Sequence, residues 1–243
     1  APDGTLCSSY DLHDCEYCGQ TKVDILSIDA SDKIHKTMEL LIEHGYMEWQ
    51  GNLKDTYWKY LHPDVLNYDE PKMWDMIKQV CSLFQFDTPV AVKAIDQVKP
   101  RSVMDLSVTN SLMRLMAQDG QEAPLEKYAR YKNDITAWFK DMTEYGLTEE
   151  EQAVLKKHLL SSYGLADSQE KVMLLSMDEK TANFGLKQSN KLRKSIAKKD
   201  EGVLNKTKKL FLESCKKQST SEKFMDYIWN VVFAMSFGYS FSQ

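Results

Sequence analysis

No stretch of this sequence is both long enough and apolar enough to cross a membrane. Its first residues, APDGTLCSSYDLHDCEY, have neither the basic start nor the apolar middle of a secretory leader. A cytoplasmic location is expected. Cysteine is scarce and odd in number: Cys7, Cys15, Cys18, Cys81 and Cys215 fit reduced thiols better than a disulfide framework. Within CEYC, Cys15 and Cys18 have metal-ligand spacing, but a zinc site needs a second pair of ligands, and His13 is a thin candidate for one. Net positive charge is lacking too. At a formal charge of -5 the chain is no polycation, so contact with nucleic acid would need a local basic face. There is no internal repeat and no low-complexity linker. A length of 243 residues with 42% hydrophobic content leaves room for a sizeable core, as one large or two small domains.

What the chain does have is a succession of helical patterns. DASDKIHKTMELLIEHG repeats Ile34, Met38, Leu41 and Ile42 at helical spacing, with Asp29, Ser31 or Asp32 to cap it and Gly45 to stop it. Further helices are expected over 72–82, 102–116, 124–144, 148–160, 169–177, 188–199, 203–217 and 221–235, with breaks at LHPDVLNYDEP, FDTPV, AQDGQEAP, YGLADS and KKDEG. One segment reads as a strand: TKVDILSI, residues 21–28, where Val23, Ile25 and Ile28 supply β-branched bulk and Lys22, Asp24 and Leu26 share one face. No partner strand follows it, and a lone strand cannot satisfy its backbone groups, so its sheet partners are expected outside this chain. The expected fold class is mainly α, with a short terminal β-strand.

The one strongly basic region runs from Lys187 to Lys217. On a helix, Lys191, Lys194 and Lys198 form one stripe at i, i+3, i+7. Arg193 flanks it, while Leu192, Ile196 and Val203 turn toward the core. A cationic row opposes folding by repulsion, and Asp200 and Glu201 come only at its end, so an anionic partner would relieve it. A solvated lysine-rich surface is the plainer alternative. Lys206, Lys208 and Lys209 lie on a second amphipathic pattern, with Leu204, Leu210, Phe211 and Cys215 inward; they suit non-specific phosphate contacts or mere solubility. Trp58, Trp74, Trp138 and Trp229 read as core. His62 and His158 have no triad-like neighbours.

Six strings follow one another along the chain: YDLHDCEYCGQTKVDILSI (10–28), SLFQFDT (82–88), NSLMRLM (110–116), SSYGLADSQEKVM (161–173), NKLRKSIAKK (190–199) and FGYSFSQ (237–243). In this order they resemble the bacterial replicative DNA polymerase III alpha subunits, the family C polymerases, and phage-like versions in particular. The first is similar to the K-x-D-x-L segment that supplies the last catalytic carboxylate of the palm, with Lys22 and Asp24 matching. The second is similar to F-Q-L-E-S, with Asp87 in the acidic place. The third resembles A-L-x-R-P-G-P, with Arg114 as its arginine and the P-G-P absent. The fourth resembles T-Y-G-x-x-x-Y-Q-E-Q-V-M, with Ser168 for the second tyrosine. The last two resemble L-R-R-A-M-G-K-K and G-Y-x-F-x-K-S-H.

The resemblance implies the C-terminal end of a palm over 1–28 and a helical fingers domain over 29–243, a piece of a longer polymerase whose two other catalytic aspartates lie upstream. It implies template-directed addition of deoxynucleotides to a primer 3′ end by a two-metal mechanism, with this piece inactive by itself. Asp24 is the implied metal ligand and, with Lys22, the catalytic pair; the Mg²⁺ site would be completed by residues outside this chain. The incoming triphosphate is expected at Arg193, Lys194, Lys198 and Lys199, with Arg114, Tyr163, Gly164, Gln169 and Glu170 nearby. Gln169 or Glu170 either touches the nucleotide or buttresses the basic helix. Template DNA is expected at Lys206, Lys208 and Lys209. Implied partners are primer-template DNA, the incoming dNTP, the remaining palm, thumb and PHP segments, and a sliding clamp reached through regions outside the chain, with no membrane. The bacterial cytoplasm or a phage-infected cell is the implied location. The alternatives are a non-catalytic helical DNA- or replisome-binding module derived from a polymerase, and a helical interaction protein without a nucleic-acid role.

Overall fold

Side-chain oxygens placed one residue before each helical run set where most helices begin. In the computed structural model, which describes residues 4, 6–21, 23, 28–79, 83–113, 115, 122–197 and 201–236, the chain divides into two compact units, 1–66 and 67–243. The first unit carries α1 (Leu12–Tyr17), α2 (Asp29–Glu43) and α3 (Leu53–Tyr60). Asp11 caps α1 and Asn52 caps α3, each accepting from a backbone N–H three residues on. α2 starts without a side-chain cap: Ile28 occupies the cap position, and Asp29 and Asp32 lie in the first turn, where carboxylates suit the positive end of the helix. Gly45, at φ +76°, ends that helix as expected. Among the described residues of this unit, only Met38, Met47 and Thr56 are buried.

The second unit is a helical assembly. Its helices are α4 (Pro71–Met76), α5 (Pro89–Val98), α6 (Val103–Leu112), α7 (Pro124–Asn133), α8 (Ile135–Tyr145), α9 (Glu149–Leu159), α10 (Gln169–Met177), α11 (Leu186–Ala197), α12 (Glu201–Lys217) and α13 (Glu222–Asp226). α13 runs on into a π-helix, Tyr227–Phe233. Three helices open on proline, whose missing N–H would have no helical partner at that position anyway. A single helix expected over 124–144 is in fact two, because Asp134 leaves helical geometry (φ -145°, ψ 98°) and accepts the Thr136 N–H at 2.9 Å to start α8 afresh. α10 packs on both α9 and α11, and α11 on α12. Trp138, Leu155, Leu159, Val172, Leu175, Leu192, Ile196, Phe211 and Phe233 form one continuous core among them. Phe86, Ala91 and Ile95 make a smaller cluster under α5.

The terminal β-strand is a correction. Among the described residues there is no strand. Of residues 21–28 only Thr21, Val23 and Ile28 are described; Ile28 is extended (φ -121°, ψ 112°) but serves as the cap position of α2. β-branched bulk favours extended backbone, yet a strand needs a partner ladder, and the described residues offer none. Trp58 also departs from expectation. It is half exposed and stacks on His62, with ring centroids 3.7 Å apart at 15°, whereas Trp74, Trp138 and Trp229 are buried.

Candidate functional site

α11 is amphipathic in the expected sense. Leu192 and Ile196 are buried, each contributing on the order of 1.5–3 kcal/mol of burial, while Lys187, Lys191 and Lys194 are exposed at i, i+4, i+7 on the opposite face. Two serines fix the helix against α10: Ser189 Oγ lies 2.9 Å from Ser176 Oγ and donates to the Met173 carbonyl at 3.1 Å. Lys198 and Lys199 lie outside the described residues.

Arg193 behaves unlike the lysines. It is half buried, its Nε donates to Asn190 Oδ1 at 2.9 Å, and its Nη1 donates to Gln169 Oε1. Gln169 is buried at the first position of α10, so the strings around 161–173 and 190–199 meet here, joined through an amide and a guanidinium. Ser168, at the place of the family's second tyrosine, caps α10 by accepting the Lys171 N–H. Asp167 and Lys171 form a nearly buried ion pair one helical turn apart, at 2.7 Å. Glu170 is exposed in the first turn of α10.

Tyr163 and Gly164 form the bend before α10, and both are left-handed, at φ +48° and +85°. Gly164 has no room for a side chain, since a Cβ there would stand 2.6 Å from Cε2 of Trp138. Its role is therefore to let the chain turn against a buried indole. Tyr163 is half buried, edge-on to Tyr128 with centroids 5.3 Å apart. Gln85, in the string 82–88, is likewise left-handed (φ +63°) and accepts from Asn110 Nδ2 at 2.7 Å, which joins that string to α6. Arg114 lies outside the described residues.

On α12, Lys206 and Lys209 are exposed, and Lys209 stands 4.0 Å from Glu213. Lys208 is half buried, with its ammonium 5.5 Å from the Trp229 ring centroid. Phe211 and Cys215 are buried as the pattern required, and burial pushes the Cys215 thiol up to about 12.

Asp24 and Lys22 lie outside the described residues, and among those described no group of three or more His, Cys, Asp and Glu side chains could hold a metal ion. Nor does any described helix have the length and apolarity to cross a membrane. Sequence reasoning missed two arrangements. Asn190 is one; its i, i+3 spacing to Arg193 was the available signal. The other is His158, whose Nε2 lies 2.8 Å from Asp178 Oδ2 together with Lys157 Nζ, also at 2.8 Å. Burial would raise the Asp178 carboxyl, but the hydrogen bonds from Lys157, His158 and the Lys180 N–H outweigh it and hold the group at about 2.

Comparison with known proteins identifies the family. Residues 19–219 match the bacterial DNA polymerase III alpha subunit finger domain, and the chain belongs to that family. It is 47% identical, over 99% of its length, to the probable DNA polymerase YorL of Bacillus subtilis (strain 168) and equally to a DNA-directed DNA polymerase of Bacillus phage SPbeta. It is 22% identical over 97% of its length to DNA polymerase III subunit alpha of Ureaplasma parvum. The chain spans only 18% of the length of the first two and 22% of the third.

Proposed function

We propose that this chain is the fingers part of a template-directed DNA polymerase of family C, and that α11 holds the triphosphate of the incoming deoxynucleotide. The observation that carries this reading is the character of the α11 surface. Three exposed lysines lie in one row, beside an arginine that donates hydrogen bonds to the amide oxygens of Asn190 and Gln169. Such a face keeps its positive charge available, and a triphosphate is the anion that a fingers domain has to hold. Arginine offers a planar fork to phosphate oxygens and lysine a point charge, so Arg193 would orient the triphosphate while Lys194 adds attraction. Lys198, Lys199 and Arg114 are proposed to extend the same surface. Tyr163, Gly164 and Glu170 shape its border, and Lys206, Lys208 and Lys209 are proposed to track template phosphates. Primer-template DNA and the other polymerase segments are the proposed partners. Asp24 is proposed as a Mg²⁺ ligand beside Lys22. No cluster of three or more metal-ligating side chains occurs among the described residues, and the remaining carboxylates are proposed to come from other segments, so this chain alone should not extend a primer.

The test is nucleotide dissociation from a ternary complex with a chain-terminated primer, measured in the full polymerase. Arg193→Ala and Lys194→Ala should each weaken nucleotide binding by about 1.5–3 kcal/mol and leave primer-template affinity nearly unchanged. If α11 instead follows the DNA backbone, the pattern inverts: DNA binding and its salt dependence fall while nucleotide affinity is spared. Unchanged dissociation in both variants would sink the assignment.

A further inference from the structure

Arginine side chains can only donate hydrogen bonds, and what distinguishes one arginine from another is whether the acceptors that face it carry charge. Arg101 donates to Asp75 at 2.7 Å. Arg130 binds Glu122 through both Nε and Nη2, at 3.1 and 2.8 Å, and also Asp141 at 2.9 Å. Both guanidinium groups are neutralised where they stand. Arg193 is held just as firmly, by two acceptors from two directions, yet Gln169 and Asn190 are both amides. The hold therefore fixes the plane of the guanidinium without cancelling its charge.

The local surroundings sharpen the contrast. Gln169 is buried at the start of α10, where a carboxylate would be welcomed by the helix end and by the arginine alike. One turn along, the nearby acid Asp167 is matched by its own cation, Lys171, at 2.7 Å. An acidic side chain at 169 would thus pair directly with Arg193, a charge pairing that the amide found there forgoes. We propose that Gln169 and Asn190 are positioning residues whose neutrality is functional: they orient Arg193 toward an anionic ligand while leaving its positive charge uncompensated. This rests on the reading of α11 as the triphosphate site, and it adds a requirement on the charge of residues that need not touch the ligand.

The two ways in which Gln169 could matter predict opposite rankings. If it only supports the hairpin of α10 and α11, Gln169→Glu keeps the acceptor, strengthens the bond to Arg193, and should bind a deoxynucleoside triphosphate at least as well as the parent. Gln169→Met, which keeps volume but loses the acceptor, should then be the poorer of the two. If charge is what counts, the order reverses. Gln169→Met, with a looser but still cationic Arg193, should lose a few-fold in affinity, whereas Gln169→Glu should lose about tenfold or more although its fold is as stable as the parent's. Asn190→Ala, at a half-buried position, should lose a few-fold as well.

Affinities are to be read in the full polymerase, with dNTP in the ternary complex and with inorganic tripolyphosphate as competitor; thermal unfolding reports the fold. A Gln169→Glu variant that binds dNTP as tightly as the parent, or an unaffected Asn190→Ala variant, overturns the proposal. If Arg193→Ala itself leaves dNTP affinity unchanged, the triphosphate reading falls. If Arg193→Ala weakens binding and Gln169→Glu does not, that reading stands and only the charge requirement is lost.

Discussion

At the scale of single residues, the sharpest constraint is Gly164. Two demands meet there: a left-handed backbone, and a Cβ position already taken by the ring of a fully buried tryptophan. A ring cannot yield as a flexible lysine tip can. Gly164→Ala should therefore destabilise the chain by about 2–4 kcal/mol, combining overpacking with the strain of a left-handed alanine. Denaturant unfolding measures this, and a loss below about 1 kcal/mol would show that Trp138 repacks freely. The sequence marked this glycine as conformationally special, since it follows a tyrosine in a turn-forming string. It could not show that Trp138, 26 positions earlier, fills the space. Likewise Asn190 stood one helical turn from Arg193 in plain view, whereas Gln169 reaches the same guanidinium only through the packing of two helices.

Between elements, Asp178 ties the end of α9 to the turn after α10, accepting from Lys157, His158 and the backbone N–H of Lys180. Its carboxyl is buried and titrates at about 2, below the ordinary value near 3.9. For a carboxyl lowered on folding, the stabilisation is fully present above the unfolded value and fades as pH falls toward the folded one. The contribution is on the order of 2 kcal/mol, lost between about pH 5 and pH 2. Asp178→Asn should thus be less stable than the parent at neutral pH, with the difference shrinking as acid is added. Unfolding free energies measured in parallel across that range check it, and a gap that stays constant with pH would refute the titration. Helices with clean apolar stripes, α2, α11 and α12, were legible from spacing alone. α5 was not, because its Thr-Pro-Val opening reads as a break, although Thr88 is its cap and Pro89 its first residue. The strand expected at 21–28 is missing for the opposite reason: local preference was favourable, and no strand among the described residues pairs with it.

At the scale of the whole molecule, the two units are unequally furnished. The described part of 1–66 buries Met38, Met47 and Thr56, while 67–243 encloses a continuous cluster around Trp138, Leu192 and Phe211. Opening free energies follow local burial. Amide hydrogens of α2 and α3 should then exchange orders of magnitude faster than those of α8 to α11 when this chain is studied by hydrogen exchange. Equal protection in both units would mean that they unfold as one. Sequence patterning gave no hint of this imbalance, because the apolar residues of α2 are as regularly spaced as those of α11. What differs is whether anything in the described chain packs over them: Ile34 and Leu40 stay half exposed, whereas Leu192 and Ile196 are covered.

The double hold on Arg193 also changes when the disorder of a long side chain is lost. Immobilising an arginine forfeits roughly 1.5–2 kcal/mol of rotamer entropy. With Nε and Nη1 already fixed on Asn190 and Gln169, that loss belongs to folding, and the anion proposed to bind there would meet a donor that has stopped moving. Lys194, one residue on and exposed, keeps its rotamer freedom in the folded chain. On the proposed reading, adjacent cations on one helix would meet the same ligand with opposite entropic histories.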